Sequence, residues 1–222
     1  LRKELIVYDG EKNKRIVIRN YTQRDFAAMI AIQQQSFPPP FPPELWWNEE
    51  QLGEHVTRFP QGALCVEADG RLIGSMTALL VDDEQLAGGH TWASITDSGY
   101  IRNHNPQGRT LYVVDVSVIP EFRKFGIGKW LMLSMYEVVV HHQLERLLGG
   151  GRMPGYSAVS HQLTAEAYLE EIVSGRRRDP VVSFLLRCGR MPVEVAYDYL
   201  EDEESCNYAA LMEWRNPFYT HD

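Results

Sequence analysis

Seven consecutive residues, Arg123-Lys124-Phe125-Gly126-Ile127-Gly128-Lys129, combine three cationic side chains with two glycines. Such a stretch can bind an anion. The residues before it, Leu111 to Val118 (LYVVDVSV), are mostly β-branched or aromatic and lead through Ile119-Pro120 into the loop, as a strand would. The residues after it carry no Gly or Pro from Lys129 to Leu148 and read as helix to about Val140. Ile127, Trp130, Leu131, Met135 and Val138 share one side of a 3.6-residue wheel, while Met132, Leu133 and Val140 make the other side apolar too. A helix starting near Gly126 aims its unpaired N–H groups, and about half a positive charge, back at the loop, where anions collect. Glycines at 126 and 128 remove Cβ atoms that would hold a phosphate off the backbone, and Arg123, Lys124 and Lys129 add full charges.

The spacing excludes two common phosphate loops. A nucleotide P-loop needs Gly five residues before the Gly-Lys pair and Ser or Thr after it, and here Arg123 and Trp130 stand there. A dinucleotide fingerprint fails at Leu131, where its third glycine belongs. What remains is R-x-x-G-x-G after a strand ending V-x-P. With Val118, Pro120, Arg123, Gly126 and Gly128 in place, this resembles the Q/R-x-x-G-x-G/A pyrophosphate loop of the GNAT acetyltransferase superfamily, which lies between the fourth strand and third helix. Taken alone, the motif also fits an ordinary Gly-terminated turn. Further segments resemble one GNAT subgroup, found as separate bacterial proteins and fused to nitrilase-like carbon–nitrogen hydrolase domains. These are His90-Thr91-Trp92 with Ile95-Thr96, Gly149 to Tyr156, Asp179-Pro180-Val181, and Asp202 to Ser205 leading to Tyr208-Ala209. The likeness spans about Ile16 to Asn216.

The resemblance implies an α/β (α+β) GNAT fold: a mixed, mostly antiparallel twisted sheet flanked by helices, with fourth and fifth strands splayed. It implies acetyl-CoA, its pyrophosphate on Arg123, Lys124, Phe125, Gly126, Ile127, Gly128 and Lys129, and its pantetheine paired with the backbone of Val116, Ser117 and Val118. The reaction implied is transfer of the acetyl group to a primary amine of a small molecule or a protein, with no metal. That reaction needs a base for the ammonium proton, donors for the oxyanion and a proton for the leaving thiolate. Backbone N–H groups near Val116 to Val118 suit the oxyanion. Asp115, a carboxylate inside an apolar strand, is the first choice of base because burial would raise its pKa. The competing roles for Asp115 are a partnered carboxylate, bonded to Arg152 or a backbone N–H, and a base acting through water. His90, His104, His161 and Glu213 stand in reserve. The family's acid, a Tyr four residues before the Gly ending the last helix, falls on Leu185, which leaves Tyr156 or solvent to protonate the thiolate. Trp92 and Arg152 are expected on the acceptor side. The other class of function left open is a non-catalytic acyl-CoA-binding regulatory module.

The elements that must position these residues can be read in order. Ile16 to Arg19 reads as a first strand, and Thr22 with Asp25 as a capping box for a helix to about Gln35. FPPPFPP, from Phe37 to Pro43, forms an extended elbow before a helix over Glu44 to Arg58 that carries Trp46 and Trp47. Ala63 to Ala68 and Leu72 to Leu80 flank an Asp-Gly turn and make a hairpin. The loop from Asp82 to Gly108 is long enough to suggest an acceptor-site wall. Arg146 to Gly150 reads as the parallel fifth strand, and residues 151–178 as an insertion with Thr164 capping a helix to about Ser174. Asp179-Pro180 and Gly189 bracket the last helix. Val193 to Tyr197 and Tyr208 to Trp214 close the sheet as an antiparallel pair, with Glu201 to Glu204 as a solvated turn.

With 222 residues, 44% of them hydrophobic, the chain can bury one good core, so a single GNAT-like domain over 1–222 is expected. A net charge of −8 and a pI near 5.4 argue against a general nucleic-acid binder and suit a cationic amine. No apolar run reaches membrane-span length and the charged start lacks a signal-peptide core, so a cytoplasmic protein with no membrane partner is expected. Cys65, Cys188 and Cys206 suggest neither a disulfide framework nor zinc, and the adjacent pair His141-His142 makes a poor metal pincer. A homodimer is compatible with the sequence, and no hydrolase domain is expected after Arg215.

Overall fold

The structure is a computed structural model and describes residues 1–220. One eight-stranded sheet runs through it in the order β1-β2-β3-β4-β5-β6-β8-β7. The strands are β1 (Arg2–Tyr8), β2 (Asn13–Asn20), β3 (Ala63–Ala68), β4 (Arg71–Val81), β5 (Thr110–Val118), β6 (Arg146–Arg152), β7 (Met191–Ala196) and β8 (Ala209–Arg215). Every neighbouring pair is antiparallel except β5 and β6. The expected mixed sheet is therefore present, with one strand more than the sequence suggests. β1 is an edge strand whose Val7 is buried while Ile6 and Tyr8 are exposed. Its polar first residues hide the alternation, and the sheet does not begin at Ile16. The fourth and fifth strands of the family's numbering are consequently β5 and β6.

Helices cover both faces. Gly74 and Thr77, three residues apart on β4, point to opposite sides of the pleat. A Cβ on Gly74 would meet Ile127 of α5 (Ile127–His141) at 3.5 Å, whereas Thr77 bonds Tyr21 on the face that carries α1 (Phe26–Ser36) and α2 (Glu49–Arg58). The helix expected from Glu44 is broken. A 3-10 turn at Pro43–Leu45 is followed by extended backbone at Trp46, and α2 starts only after Asn48, whose side chain accepts from the Gln51 N–H at 2.9 Å. Trp46 and Trp47 therefore precede the helix, and Trp47 packs in the core. The long loop holds two short helices, α3 (Asp83–Leu86) and α4 (Trp92–Thr96). In the insertion, Thr164 caps α6 (Ala165–Val173) as expected, but Gly151 and Arg152 still belong to β6. Asp179 accepts from the N–H groups of Val181 and Val182 ahead of α7 (Val182–Arg187).

β5 and β6 part before either strand ends. They pair only at Thr110↔Arg146, Leu111↔Leu147 and Tyr112↔Leu148. Beyond Tyr112, β5 continues along β4 as far as Gly74↔Val118, and β6 along β8 as far as Arg152↔Ala209. The facing edges are left without a strand partner, opening a V. A bulge lies beside its apex: Thr77 opposes Asp115 and Ala78 opposes Val113, so Val114 is the extra residue.

The glycines of β6 keep this region narrow. A Cβ on Gly150 would lie 2.7 Å from the Tyr199 hydroxyl oxygen and run into its buried ring. Gly150→Ala should lower the unfolding free energy in a urea titration by about 1–3 kcal/mol through overpacking. Gly53→Ala on α2, where a Cβ meets nothing within 4 Å, should instead raise it by about 0.5–1 kcal/mol.

Candidate active site

β5 passes through Ile119 into a 3-10 turn, Pro120–Phe125, and Gly126 then reverses the chain with φ 70° before α5 begins. That left-handed backbone favours glycine, and the space a Cβ would occupy there is open to 4 Å. The first bond of α5 runs from the Trp130 N–H to the Gly126 carbonyl at 3.2 Å. The amides of Ile127, Gly128 and Lys129 thus have no acceptor within the helix and face the loop. Gly128 serves packing as well as access, because a Cβ there would come 3.0 Å from the Phe184 ring of α7.

The cations divide into different tasks. Arg123 donates from Nε to the Val118 carbonyl and from a terminal nitrogen to the Ser36 carbonyl, both at 3.0 Å. It ties the end of α1 to the end of β5. Lys124 pairs at 2.8 Å with Asp9, in the turn between β1 and β2, and this contact holds the Asp9 carboxyl well below the usual carboxylate range. Lys129 is exposed and takes no ion pair among the described residues.

Asp115 lies on the α1 face of β5, just past the bulge. Its Oδ2 accepts from Gln33 Nε2 at 2.8 Å and from Ser117 Oγ at 2.7 Å, and Gln33 also reaches Ser117 Oγ at 3.0 Å. Arg152 is not its partner. Burial raises the Asp115 carboxyl to about 7, against the lowering effect of bonds from Ser117, Gln33 and the Val116 N–H. Its cross-strand neighbour Thr77 begins a second buried chain: Thr77 Oγ1 to Tyr21 at 3.0 Å, Tyr21 to His55 Nδ1 at 2.9 Å, and His55 Nε2 to the Gly99 carbonyl at 2.6 Å. A carbonyl can only accept, so His55 carries its proton on Nε2, and Tyr21 donates to Nδ1. Burial lowers the His55 pKa to about 4, which keeps the ring neutral.

The structure gives Trp92, Arg152 and Tyr156 separate partners. The Trp92 indole donates to the carbonyl of the bulged Val114 at 3.0 Å, and its backbone N–H donates to the Tyr199 carbonyl at 2.7 Å. Arg152 forms a forked pair with Asp202 at 2.6 and 2.7 Å, reaches Glu204 at 2.9 Å, and lies over the Phe41 ring of the proline elbow. Asp202 is buried, so the acidic stretch from Glu201 is no simple solvated turn. The sequence offers no local sign of a pairing across 50 positions. Tyr156 donates to the Leu163 carbonyl at 3.0 Å and lines a surface cavity of about 470 Å³ with Tyr197, Tyr208 and Glu166. Leu185 fills the space left by Gly151. Among the reserves, His104 accepts from the Leu80 N–H, His161 is exposed beside Gln162, and Glu213 pairs with Arg146 and Arg215. His90 Nε2 meets the Tyr112 hydroxyl at 2.8 Å, and Tyr112 meets Tyr199 at 2.9 Å. Sequence reading missed this tyrosine pair, along with Gln33, Tyr21 and His55. Among the described residues no cluster of His, Cys, Asp or Glu is arranged to hold a metal, and no helix is long and apolar enough to cross a membrane.

A sheet opened between its parallel strands and followed by a glycine-capped helix places the chain in the class of GNAT-type acyltransferases. Residues 26–154 match the acetyltransferase (GNAT) family, and the chain belongs to that family. It is 56% identical over 217 residues to the uncharacterized N-acetyltransferase YkwB of Bacillus subtilis (strain 168), covering 98% of this chain and 96% of that protein. It is also 37% identical over 207 residues to the probable hydrolase YhcX of the same organism, covering 93% of this chain but 40% of that longer protein. Among solved structures, the loading GNATL domain of CurA from Lyngbya majuscula superimposes with a TM-score of 0.77 at 20% identity, over 90% of this chain and 98% of that one. The GphF GNAT-like decarboxylase in complex with isobutyryl-CoA gives 0.72 at 22% identity, again over 90% and 98%. At these identities the two structures establish the fold alone.

The raised Asp115 pKa makes a prediction about stability. A carboxyl that titrates near 7 when folded, against an ordinary value of 3.8, favours the protonated native state. The stability it contributes is complete below 3.8 and is lost as pH rises toward 7. Asp115→Asn mimics the protonated form, so its melting temperature relative to wild type should climb between pH 5 and pH 8. Calorimetry at both pH values checks this, and a difference independent of pH would contradict it.

Proposed function

We propose that this chain transfers an acetyl group from acetyl-CoA to a primary amine, on a small molecule or a protein, with Asp115 as the base. The observation that carries the proposal is a buried carboxyl just past the apex of the parted strands, held by Gln33 and Ser117 and raised to about 7 by burial. One domain over residues 1–222 would hold the whole site, with 151–178 as its insertion; residues 221 and 222 lie outside the described ones.

The residues present fit the cofactor. The open space above Gly126 and the free amides of Ile127, Gly128 and Lys129 suit a pyrophosphate, with Lys129 adding charge and Lys124 doing so on leaving Asp9. Phe125 lies beneath the Lys124 ammonium. The unpaired edge at Val116, Ser117 and Val118 suits an amide-bearing arm and offers N–H donors to an oxyanion. Acetyl-CoA would supply an activated thioester. Asp115 would take the ammonium proton, directly or through one water, while Gln33 and Ser117 hold its carboxylate in place. Trp92 would keep the bulge in shape through its bond to Val114, and Arg152 would fix the elbow beside the acceptor. The net charge of −8 suits a cationic acceptor.

CoA or acetyl-CoA should raise the melting temperature by mass action on the native state. Gly126→Asp should remove that shift, because Asp tolerates the left-handed backbone but sets a negative charge where the pyrophosphate is expected. An equal shift in both proteins would place the cofactor elsewhere.

Screening amines for release of CoA thiol tests the reaction itself. The rate should rise with pH through about 7 as Asp115 ionises. Asp115→Asn should lower kcat by about 100-fold or more, lose that limb of the profile and keep its affinity for CoA. A variant retaining both kcat and the limb would remove Asp115 as base.

A further inference from the structure

The transfer leaves one proton unassigned. When the amine nitrogen bonds to the acetyl carbon and the C–S bond breaks, sulfur departs with the electron pair and must be protonated. Leu185 stands where the family's tyrosine would serve, and the Tyr156 hydroxyl donates to Leu163. Resting on the acetyl-transfer reading, we propose that the hydroxyl pair of Tyr112 and Tyr199, oriented by His90, donates this proton, with Tyr199 as the group in contact with sulfur.

Position is the first argument. Tyr112 is the last residue of β5 to pair with β6, so its side chain marks the apex of the V. Tyr199 reaches the same point from the β7–β8 connection, its ring against Gly150 of β6, and the two hydroxyls are 2.9 Å apart. Burial raises both phenols above the usual range, and the Gly150 N–H works against that rise at each. The free edge of β5 that starts at the Gly126 loop runs back to this point. Trp92 anchors the arrangement from two sides, at the Tyr199 carbonyl and at the bulge carbonyl of Val114.

The second argument is the direction of the hydrogen bonds. His90 Nδ1 is buried with no partner among the described residues, while Nε2 faces the Tyr112 hydroxyl at 2.8 Å. A buried N–H without an acceptor is rarer than an acceptor left unfilled, so the proton belongs on Nε2, and His90 donates to Tyr112. Tyr112 must then donate to Tyr199. The Tyr199 proton then has no acceptor left among the described residues and is free to point into the V. Burial holds His90 below its usual pKa and raises Tyr199 to about 12, so the ring is neutral and the phenol protonated near pH 7.

The third argument is charge. Arg190 is buried and pairs with no carboxylate among the described residues. It donates to the Gly149 carbonyl at 2.9 Å and to the Met212 carbonyl, and its Nε has no partner. Its field acts on both tyrosines. A buried cation without a counter-ion favours negative charge formed nearby, whether on sulfur or on the phenol after it gives up its proton. The phenolate is then reprotonated by water that enters the V as the products leave. Across the cycle one proton leaves the ammonium, one reaches sulfur, and the tyrosine is restored.

The test uses Tyr199→Phe in the full chain, with Tyr112→Phe as a second variant, since each keeps its ring. Two readouts are needed. In the first, kcat for amine-dependent thiol release should fall about 100-fold in Tyr199→Phe with the donor KM little changed, and Tyr112→Phe should fall less. The second needs no acceptor. Wild type should bind CoA about 2- to 10-fold more tightly than desulfo-CoA, in which hydrogen replaces the thiol, and Tyr199→Phe should bind the two alike. Wild-type kcat in Tyr199→Phe, or equal binding of the two ligands by wild type, overturns the proposal. If no amine releases thiol but the CoA preference exists and vanishes in Tyr199→Phe, the amine reading falls while the tyrosine contact to sulfur stands.

Discussion

The parting of β5 from β6 after Tyr112 is the constraint on which the rest of the structure depends. A strand edge abandoned inside a sheet is costly unless something else takes up its N–H and C=O groups. Here each strand is held firmly on its other side, β5 by β4 to Val118 and β6 by β8 to Arg152. The gap cannot close by one strand drifting. The bulge at Val114 adds local twist beside the apex, and the Trp92 indole takes the carbonyl it turns outward. Hydrogen-bonding groups that a continuous sheet would consume are thereby left without a strand partner.

Buried polar groups follow the same geometry. Gln33–Asp115–Ser117, the chain from Thr77 to Gly99 and the chain from His90 to Tyr199 all gather around the bulge and the apex. Networks of this kind are costly when half satisfied. That each is nearly complete gives weight to the exception within them, His90 Nδ1, and to the unpartnered Arg190 Nε nearby. Arg152, by contrast, has its charge matched by Asp202 and Glu204. Its contribution is to hold the Asp202 turn and the proline elbow against the end of β6.

What was legible in the sequence was local. The strand, loop and helix around Gly126, the Asp69-Gly70 hairpin, the Thr164 cap and the R-x-x-G-x-G motif that pointed to the family all rest on residues close together in the chain. Asp115 could be singled out because a carboxylate is conspicuous within an apolar strand. Its partner Gln33 could not, being 82 positions away, and Tyr112 meets Tyr199 across 87. No periodicity or motif encodes such contacts, because topology creates them. β1 escaped notice for a different reason: its charged first residues suit an edge strand with one wet face and blur the apolar alternation. The broken helix before Asn48 shows capping chemistry prevailing over an apolar run, since the Asn48–Gln51 box fixes the start that Trp46 and Trp47 obscure.

The strand order also bears on how the chain emerges from a ribosome. β6 is released next to β5, but its other neighbour, β8, begins only at Ala209, after the whole insertion and β7. Until then the nascent protein displays one edge of β6, apolar at Leu147 and Leu148 and rich in glycine, with nothing to pair with. Unprotected edges are where chains join one another by mistake. The architecture that parts β6 from β5 after Leu148 therefore leaves Gly149 to Arg152 bare on both sides during synthesis, and a pause in translation between Arg152 and Ala209 would fall in the interval of greatest exposure to aggregation or chaperone capture.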